Sequence, residues 1–181
     1  MDLRTQLVIV GLVGLAWGGG RWMSVRPVVD TAREVERMSL AALESRVARS
    51  PDDVVATRVL LRRYLDHGMT RLVVDTAQRA PERVQRDGDV TLSVARAQEA
   101  LGQVDTAYAV TQGALARCGA VPAAMAEHAG CNVRTQTALA FQAAALERMR
   151  RWRVTPISDP ARASLAHELA ARPVRITARG P

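Results

Sequence analysis

Apolar residues recur at helical spacing in four consecutive stretches between residues 51 and 118. The first stretch carries Val54, Leu61 and Leu65 along one stripe. The other three place mostly apolar residues three or four positions apart, at Val73, Ala77, Ala80 and Val84, then at Val90, Val94, Ala97 and Leu101, and then at Val104, Tyr108, Thr111 and Leu115. Because side chains at this spacing share one face of an α-helix, the pattern predicts four amphipathic helices.

Two glycines divide these stretches into pairs. Gly68 and Gly102 lie 34 residues apart, each between the two stretches of a pair. Residues of matching kind lie one period apart at four further places: Thr57 with Thr91, Leu60 with Val94, Arg62 with Arg96, and Ala80 with Ala114. Glycine often ends a helix in the left-handed conformation. The chain therefore predicts two antiparallel helix pairs, and a fixed period of this length indicates a helical repeat.

This pattern resembles the tetratricopeptide repeat family over about 68 residues. The glycines between helices and the small residues Ala80, Ala107 and Ala114 fit the family pattern. Threonine stands at Thr57 and Thr91, where the family consensus has tryptophan, and the closing prolines are missing. The resemblance implies an all-α fold in which antiparallel helix pairs stack into a right-handed α-solenoid fragment. An ordinary antiparallel helical bundle is the alternative.

The flanking regions complete the predicted domain organisation. Residues 26–50 are expected to form a helical stalk or a first packing helix, with one long helix over 28–49, followed by a helix that Ser50 caps and Pro51 opens. The repeats are expected over residues 51–155, with residues 122–152 as a degenerate third helix pair. Residues 156–181 are expected to hold a capping helix, from Asp159-Pro160 to about Ala171, and a basic tail.

The N-terminal region predicts a membrane anchor over residues 1–25. Residues 7–20 contain no charged side chain, and the hydrophobic span can extend to residue 25. Trp17 and Trp22 suit the membrane interface, and Gly14 with Gly18 forms a GxxxG pair that permits self-association of membrane helices. A cleaved signal peptide is the rival interpretation.

Composition favours stacked helices and locates the net charge. Aromatic residues make up only 3% of the chain, whereas a sheet prefers β-branched and aromatic side chains. All 25 basic residues are arginine, which suggests the bias of a GC-rich, bacterial genome. Residues 1–147 hold 17 arginines and 16 acidic residues, but residues 148–181 hold eight arginines and two acidic residues. The positive charge is thus a property of the C-terminal end, and nucleic acid binding by the whole chain does not follow from it.

A basic group at the C-terminal end has two interpretations. Its members are Arg148, Arg150, Arg151 and Arg153, near the end of a predicted helix. Cations are favourable at a helix C-terminus, which explains the group without any ligand. Alternatively, the group forms a patch for phosphates of anionic lipid or nucleic acid. The first interpretation is preferred.

The two cysteines are interpreted as a disulfide. Cys118 and Cys131 flank a turn rich in small residues and would close a loop of about 14 residues, worth roughly 3 kcal/mol in the chain-entropy model. Two buried thiols are the second choice. A metal site using His128 is the third, because it would need a fourth ligand, so no metal or cofactor is expected.

No stretch carries a recognised reaction motif, so the chain is not expected to be an enzyme. It has no GxSxG, HExxH or phosphate-binding loop. The aspartates at 52, 53, 87 and 89 lie at predicted helix starts, where capping explains them. His167 and Glu168 lie on a helix that looks peripheral and are interpreted as a solvated pair.

These observations predict a membrane-anchored adaptor that holds a protein partner in a bacterial envelope. The periplasmic side of the inner membrane is favoured by the cysteine pair, although the arginines after residue 20 argue for the opposite orientation. The resemblance implies a partner-binding groove lined by the first helix of each pair, with Arg58, Arg62 and Arg96 holding an acidic segment or a C-terminal carboxylate. A binder of anionic lipid or nucleic acid through the basic end is the alternative function.

Overall fold

The computed structural model describes residues 28–171, which are all-α and contain no β-strand. This confirms the predicted all-α class for the described part of the chain. Its helices are α1 (Val28–Arg37), α2 (Leu40–Arg49), α3 (Val54–Asp66), α4 (Thr70–Arg79), α5 (Glu82–Gln85), α6 (Gly88–Ala100), α7 (Val104–Ala120), α8 (Val133–Trp152) and α9 (Pro160–Ala171), with a short 3₁₀ turn at Ala123–Met125.

The predicted long helix over residues 28–49 is interrupted after Arg37. Ser39 caps α2 by accepting a hydrogen bond at its hydroxyl from the Ala42 N–H, 3.3 Å away. The chain divides into two compact units after Met38, and α1 belongs to the first of them. Because α2 packs on α3, the second half of the expected stalk belongs to the packed body.

The first helix of the repeat region begins later than predicted. Asp53, and not Ser50, is the N-cap of α3, because its Oδ1 accepts a hydrogen bond from the Ala56 N–H at 3.0 Å. Arg46 at the end of α2 donates to Asp53 Oδ2 at 2.8 Å. Ser50 is the C-cap of α2 instead, so Pro51 lies in the turn between the two helices.

Pro81 shortens the second helix of the first pair. The apolar stripe predicted one helix through Val84, but α4 ends at Arg79 and α5 begins at Glu82. Proline has no N–H to donate and favours an extended residue before it, as Ala80 is here. Val84 is still fully buried, from the short helix α5.

The two predicted turn glycines have the expected conformation. Gly68 joins α3 to α4 with φ +70°, and Gly102 joins α6 to α7 with φ +77°. The third pair differs from the prediction, because residues 122–132 form a 3₁₀ turn and a loop, and α8 pairs with α9. The predicted helix from Pro160 to Ala171 is confirmed.

The three helix pairs pack in a regular order. The second helix of each pair contacts the first helix of the next, so α4 packs on α6 and α7 packs on α8. The first helices also contact one another in sequence, α3 with α6 and α6 with α8. At the last pair, Val104, Leu146, Met149 and Ala166 belong to one buried cluster. The first helices α3, α6 and α8 therefore form one continuous surface.

Candidate functional site

The surface formed by the three first helices contains a cleft that we call the arginine cleft. Its volume is about 320 Å³. It is lined by Arg58, Arg62 and Leu65 of α3, by Asp89, Leu92, Ser93 and Arg96 of α6, and by Asn132, Arg134, Thr135 and Ala138 at the start of α8. On each of the three helices, most of these residues lie three or four positions apart, so they share one face of the helix.

The arginine cleft is strongly positive. Four arginines and one aspartate line it, a formal charge of +3. Leu65, Leu92 and Ala138 add apolar surface to the same lining. A guanidinium presents a planar fork of donors that matches a carboxylate or a phosphate. The lining thus suits an anionic group attached to an apolar one.

Arg58 is bound within the chain. Its Nε donates to Asp87 Oδ1 at 2.9 Å, its Nη2 donates to Asp87 Oδ2, and Asp89 Oδ2 lies 3.7 Å from its Nε. Burial alone would lower the pKa of Arg58, but the hydrogen bond and charge of Asp87, with the charges of Asp89 and Glu127, outweigh it and raise the pKa. The predicted partner-binding role therefore has a competing structural one at this position.

Asp87, the partner of Arg58, is buried at the N-terminus of α6. Only 3% of the residue is exposed. Besides accepting two bonds from Arg58, it caps α6, because its Oδ1 accepts from the N–H groups of Asp89 and Val90 at 3.1 Å. Removing either partner would leave a charge buried without compensation, which is strongly destabilising.

The other predicted arginines remain at the cleft surface. Arg62 and Arg96 are exposed and occupy equivalent places, one helix pair apart, and the structure brings both to the same cleft. Arg134 was not predicted, although it is exposed and lines the cleft from α8. The period of 34 residues cannot locate it, because the loop before α8 shifts that helix out of register.

The disulfide is confirmed. The sulfur atoms of Cys118 and Cys131 lie 1.97 Å apart, and their Cα atoms 5.2 Å. Each cysteine is only 2% exposed, and both belong to a buried cluster with Leu92 and Leu139. Because the two sulfurs bond each other, they cannot supply the thiolates that a zinc site with His128 would need.

Residues 121–130, which we call the disulfide loop, rest against the start of α6. The Gly88 N–H donates to the Ala129 carbonyl at 3.1 Å. Gly130 has φ +62°, and a Cβ there would lie 2.5 Å from Asp87 Oδ2. A Cβ on Gly88 would lie 2.2 Å from the Gly130 carbonyl oxygen. Both contacts are closer than any side chain permits, so glycine is required on each side.

The structure divides the basic group near the end of α8. Arg150 donates to Asp105 at 2.6 Å and lies over the Tyr108 ring, 4.5 Å from its centroid. Arg151 pairs with Glu147, and Arg148 donates to a carbonyl of its own helix. Arg153 ends the helix in the left-handed conformation, with φ 55°. Two members are thus engaged with acidic residues.

His167 does not form a solvated pair with Glu168. Its Nε2 lies 2.6 Å from Oε1 of Glu99, a residue of α6 that is 8% exposed. Gln142 of α8 donates to the other carboxylate oxygen of Glu99. This network connects three helices and supplies partners to a buried carboxylate, which is a structural role.

The predicted anchor lies outside the described residues, as does the tail over 172–181. Within residues 28–171, no helix has both the length and the apolar character needed to cross a membrane. Function must be argued from the cleft geometry, because no family model, curated protein or solved structure matches this sequence.

Proposed function

We propose that this chain is a tetratricopeptide-like helical-repeat adaptor whose arginine cleft binds carboxylates of a partner protein. The observation that carries the proposal is the convergence of arginines from three successive first helices on one cleft. An adaptor needs a surface and no reacting group, and this surface has a defined chemistry. The partner is an acidic segment or a C-terminal carboxylate.

The order of packing supports a repeat array over an ordinary bundle. Each first helix contacts the next first helix and also the second helix of the preceding pair. Stacking of this kind buries a continuous core and leaves one face of every first helix open. Gly68 and Gly102 end the first helices at equivalent places, which repeats the same turn in two successive units.

The ligand chemistry follows from Arg62, Arg96 and Arg134. Each can donate a charge-assisted bond, and one such bond contributes roughly 1.5–3 kcal/mol when it is shielded from water. The apolar surface of Leu65 and Leu92 lines the same cleft and would accept an aliphatic side chain next to the carboxylate. The cleft volume suits a short segment of an extended peptide.

The proposed location is the periplasmic side of a bacterial inner membrane, with residues 7–25 as the anchor. The disulfide between Cys118 and Cys131 supports an oxidising compartment, because structural disulfides persist there and are rare in reducing ones. An anchored chain would present the arginine cleft to partners at the membrane surface.

A peptide-binding experiment tests this function. The probe is a fluorescein-labelled peptide of four glutamates followed by leucine, with a free C-terminal carboxylate, and its binding to the full chain in detergent is followed by fluorescence anisotropy. Substituting Arg62, Arg96 and Arg134 together with alanine should weaken binding at least tenfold, because three donors are lost. The same peptide with a C-terminal amide measures the share of the terminal carboxylate.

A matched control separates the cleft from long-range charge. Arg71 and Arg79 are exposed residues of α4, which is a second helix and does not line the cleft. Their joint substitution with alanine should change binding less than twofold at moderate salt, where distant charges are screened. Comparable losses in both variants, or no binding by the unmodified chain, would show that the cleft is not the binding site.

A further inference from the structure

The connection between α7 and α8 is long, and it leads directly into the residues at the start of α8 that line the arginine cleft. It covers residues 121–132, whereas helix–helix connections in compact domains commonly have about 2–8 residues. Cys131 lies one residue before Asn132, which is the N-cap of α8 and accepts a hydrogen bond from the Thr135 N–H at 2.9 Å. Arg134 follows two positions after this cap.

The disulfide loop, which forms most of this connection, contacts the start of α6. The Gly88 N–H donates to the Ala129 carbonyl, and Gly130 lies close to Asp87. These two contacts hold the loop against the start of α6. Asp87 is the same residue that binds Arg58. The loop is therefore in contact with Asp87, the residue that binds Arg58 of α3 at the cleft.

A side-chain hydrogen bond joins the α8 side of the cleft to the α6 side. Thr135 Oγ1 donates to Asp89 Oδ1 at 2.7 Å, so the start of α8 is bound to the start of α6. Beneath them, both cysteines pack in one cluster with Leu92, whose side chain also lines the cleft. The disulfide thus packs with a residue that lines the cleft, and Cys131 directly precedes the cap of α8.

We infer that the disulfide between Cys118 and Cys131 positions Arg134, and so determines which anionic ligands the arginine cleft accepts. The inference rests on the proposed function. The covalent bond closes the long connection onto α7, the loop fits against α6, and Arg134 lines the same cleft as Arg96. Without the bond, α8 can still form, but the long connection no longer ties its first turn to α7, and the hydrogen bond from Thr135 to Asp89 alone does not fix Arg134 at the cleft.

A double-mutant cycle tests this positioning role. Affinity for the glutamate–leucine probe is measured for the full chain and for a variant with Cys118→Ala and Cys131→Ala, each with and without Arg134→Ala. With the disulfide present, Arg134→Ala should weaken binding about tenfold. Without the disulfide, the same substitution should have less than a twofold effect, because Arg134 no longer reaches the ligand.

A substitution on the second helix is the matched control. Arg96→Ala should weaken binding by the same factor whether or not the disulfide is present, since Arg96 lies two turns into α6, which is also held by its packing on α3, α4 and α7. A purely structural role of the disulfide would reduce both effects equally. A full tenfold effect of Arg134→Ala in the cysteine variant would overturn the inference.

Two further measurements keep the test decisive. If the cysteine variant loses its helical circular dichroism signal, the cycle is repeated with Cys118→Val and Cys131→Ala, which remove the covalent bond but keep the buried cluster filled; an undiminished effect of Arg134→Ala there overturns the inference. If the unmodified chain does not bind the probe, the proposed function fails. Amide hydrogen exchange then judges the positioning alone: faster exchange at Gly88 and Thr135 in the cysteine variant supports it, and unchanged exchange overturns it.

Discussion

The contact between Gly88 and the disulfide loop leads to a prediction opposite in sign to that of helix propensity. Gly88 is the first residue of α6. Replacing a helical glycine with alanine normally stabilises a protein by about 0.4–1 kcal/mol, mainly because the unfolded chain loses freedom. At Gly88, however, the new Cβ would lie 2.2 Å from the carbonyl oxygen of Gly130.

The magnitude follows from what must move. The contacted atom belongs to the backbone, so no change of rotamer relieves the clash. Moving the disulfide loop away costs the hydrogen bond to Ala129, about 1 kcal/mol, and overpacking of a tight interior costs typically 1–3 kcal/mol. After subtraction of the propensity gain, Gly88→Ala should destabilise the chain by about 1–3 kcal/mol.

Gly119→Ala provides the matched control. Gly119 also lies in a helix, near the end of α7, and a Cβ there would meet no atom within 4 Å. It should therefore show the ordinary stabilisation. Urea unfolding of both variants, followed by far-UV circular dichroism, measures the difference. If Gly88→Ala stabilises the chain as much as Gly119→Ala does, the tight contact between α6 and the disulfide loop is wrong.

Three other expectations follow from the buried and charged groups. Arg58→Ala should lower the free energy of unfolding by about 3–5 kcal/mol because it leaves Asp87 buried without a cation, whereas Arg96→Ala, at an exposed position, should change it by less than about 0.5 kcal/mol in the same urea assay. Burial and the hydrogen bond to Glu44 raise the pKa of Tyr64 from 10.0 to about 12. The protonated phenol therefore contributes at most about 3 kcal/mol to the free energy of unfolding, and this contribution is complete below pH 10 and is lost as the pH rises through about 12. Tyr64→Phe should flatten this loss in unfolding curves measured against pH, and identical pH profiles of the two proteins would contradict it. Binding of duplex DNA, and any preference for acidic over neutral vesicles, should be equally weak at low and high salt, because two arginines of the basic group already pair with acidic residues; a strong, salt-sensitive preference would favour the alternative function.

Local periodicity was sufficient to predict much of the helical framework. The stripes identified α3, α6 and α7, and the turn glycines at Gly68 and Gly102 have the left-handed conformation that their placement implied. The start of α9 at Pro160 was also predictable, since proline suits the first position of a helix. These features depend on residues close in sequence, where spacing alone carries the information.

The errors occurred where a single residue overrides a hydrophobic stripe. Pro81 ends α4 although the apolar pattern continues to Val84, and Ser39 interrupts an otherwise continuous amphipathic stretch. At Ser50 the sequence offered a good cap, but Asp53 both caps α3 and pairs with Arg46. The competition between two possible caps is decided by such tertiary contacts, which spacing does not reveal.

The arginine cleft was predicted only in part. Arg62 and Arg96 were found because they recur at the repeat period, which places them on equivalent helix faces. The pairing of Arg58 with Asp87 joins residues 29 positions apart, and no local pattern marks it. Arg134 lies beyond the disulfide loop, whose length sets the register of α8. The residues missed are thus those placed by long-range contacts.

Photo-crosslinking with the glutamate–leucine probe tests the central claim most directly. A diazirine on the leucine side chain, next to the free carboxylate, reacts with whatever the bound terminus touches, and mass spectrometry identifies the crosslinked residues. We expect crosslinks on the open faces of α3 and α6 and near the start of α8, at Leu65, Leu92 and Ala138. Excess unlabelled peptide with a free carboxylate should abolish them, whereas the amidated peptide should compete poorly and leave them in place. Crosslinks confined to α4, α7 or the basic C-terminal end would contradict it.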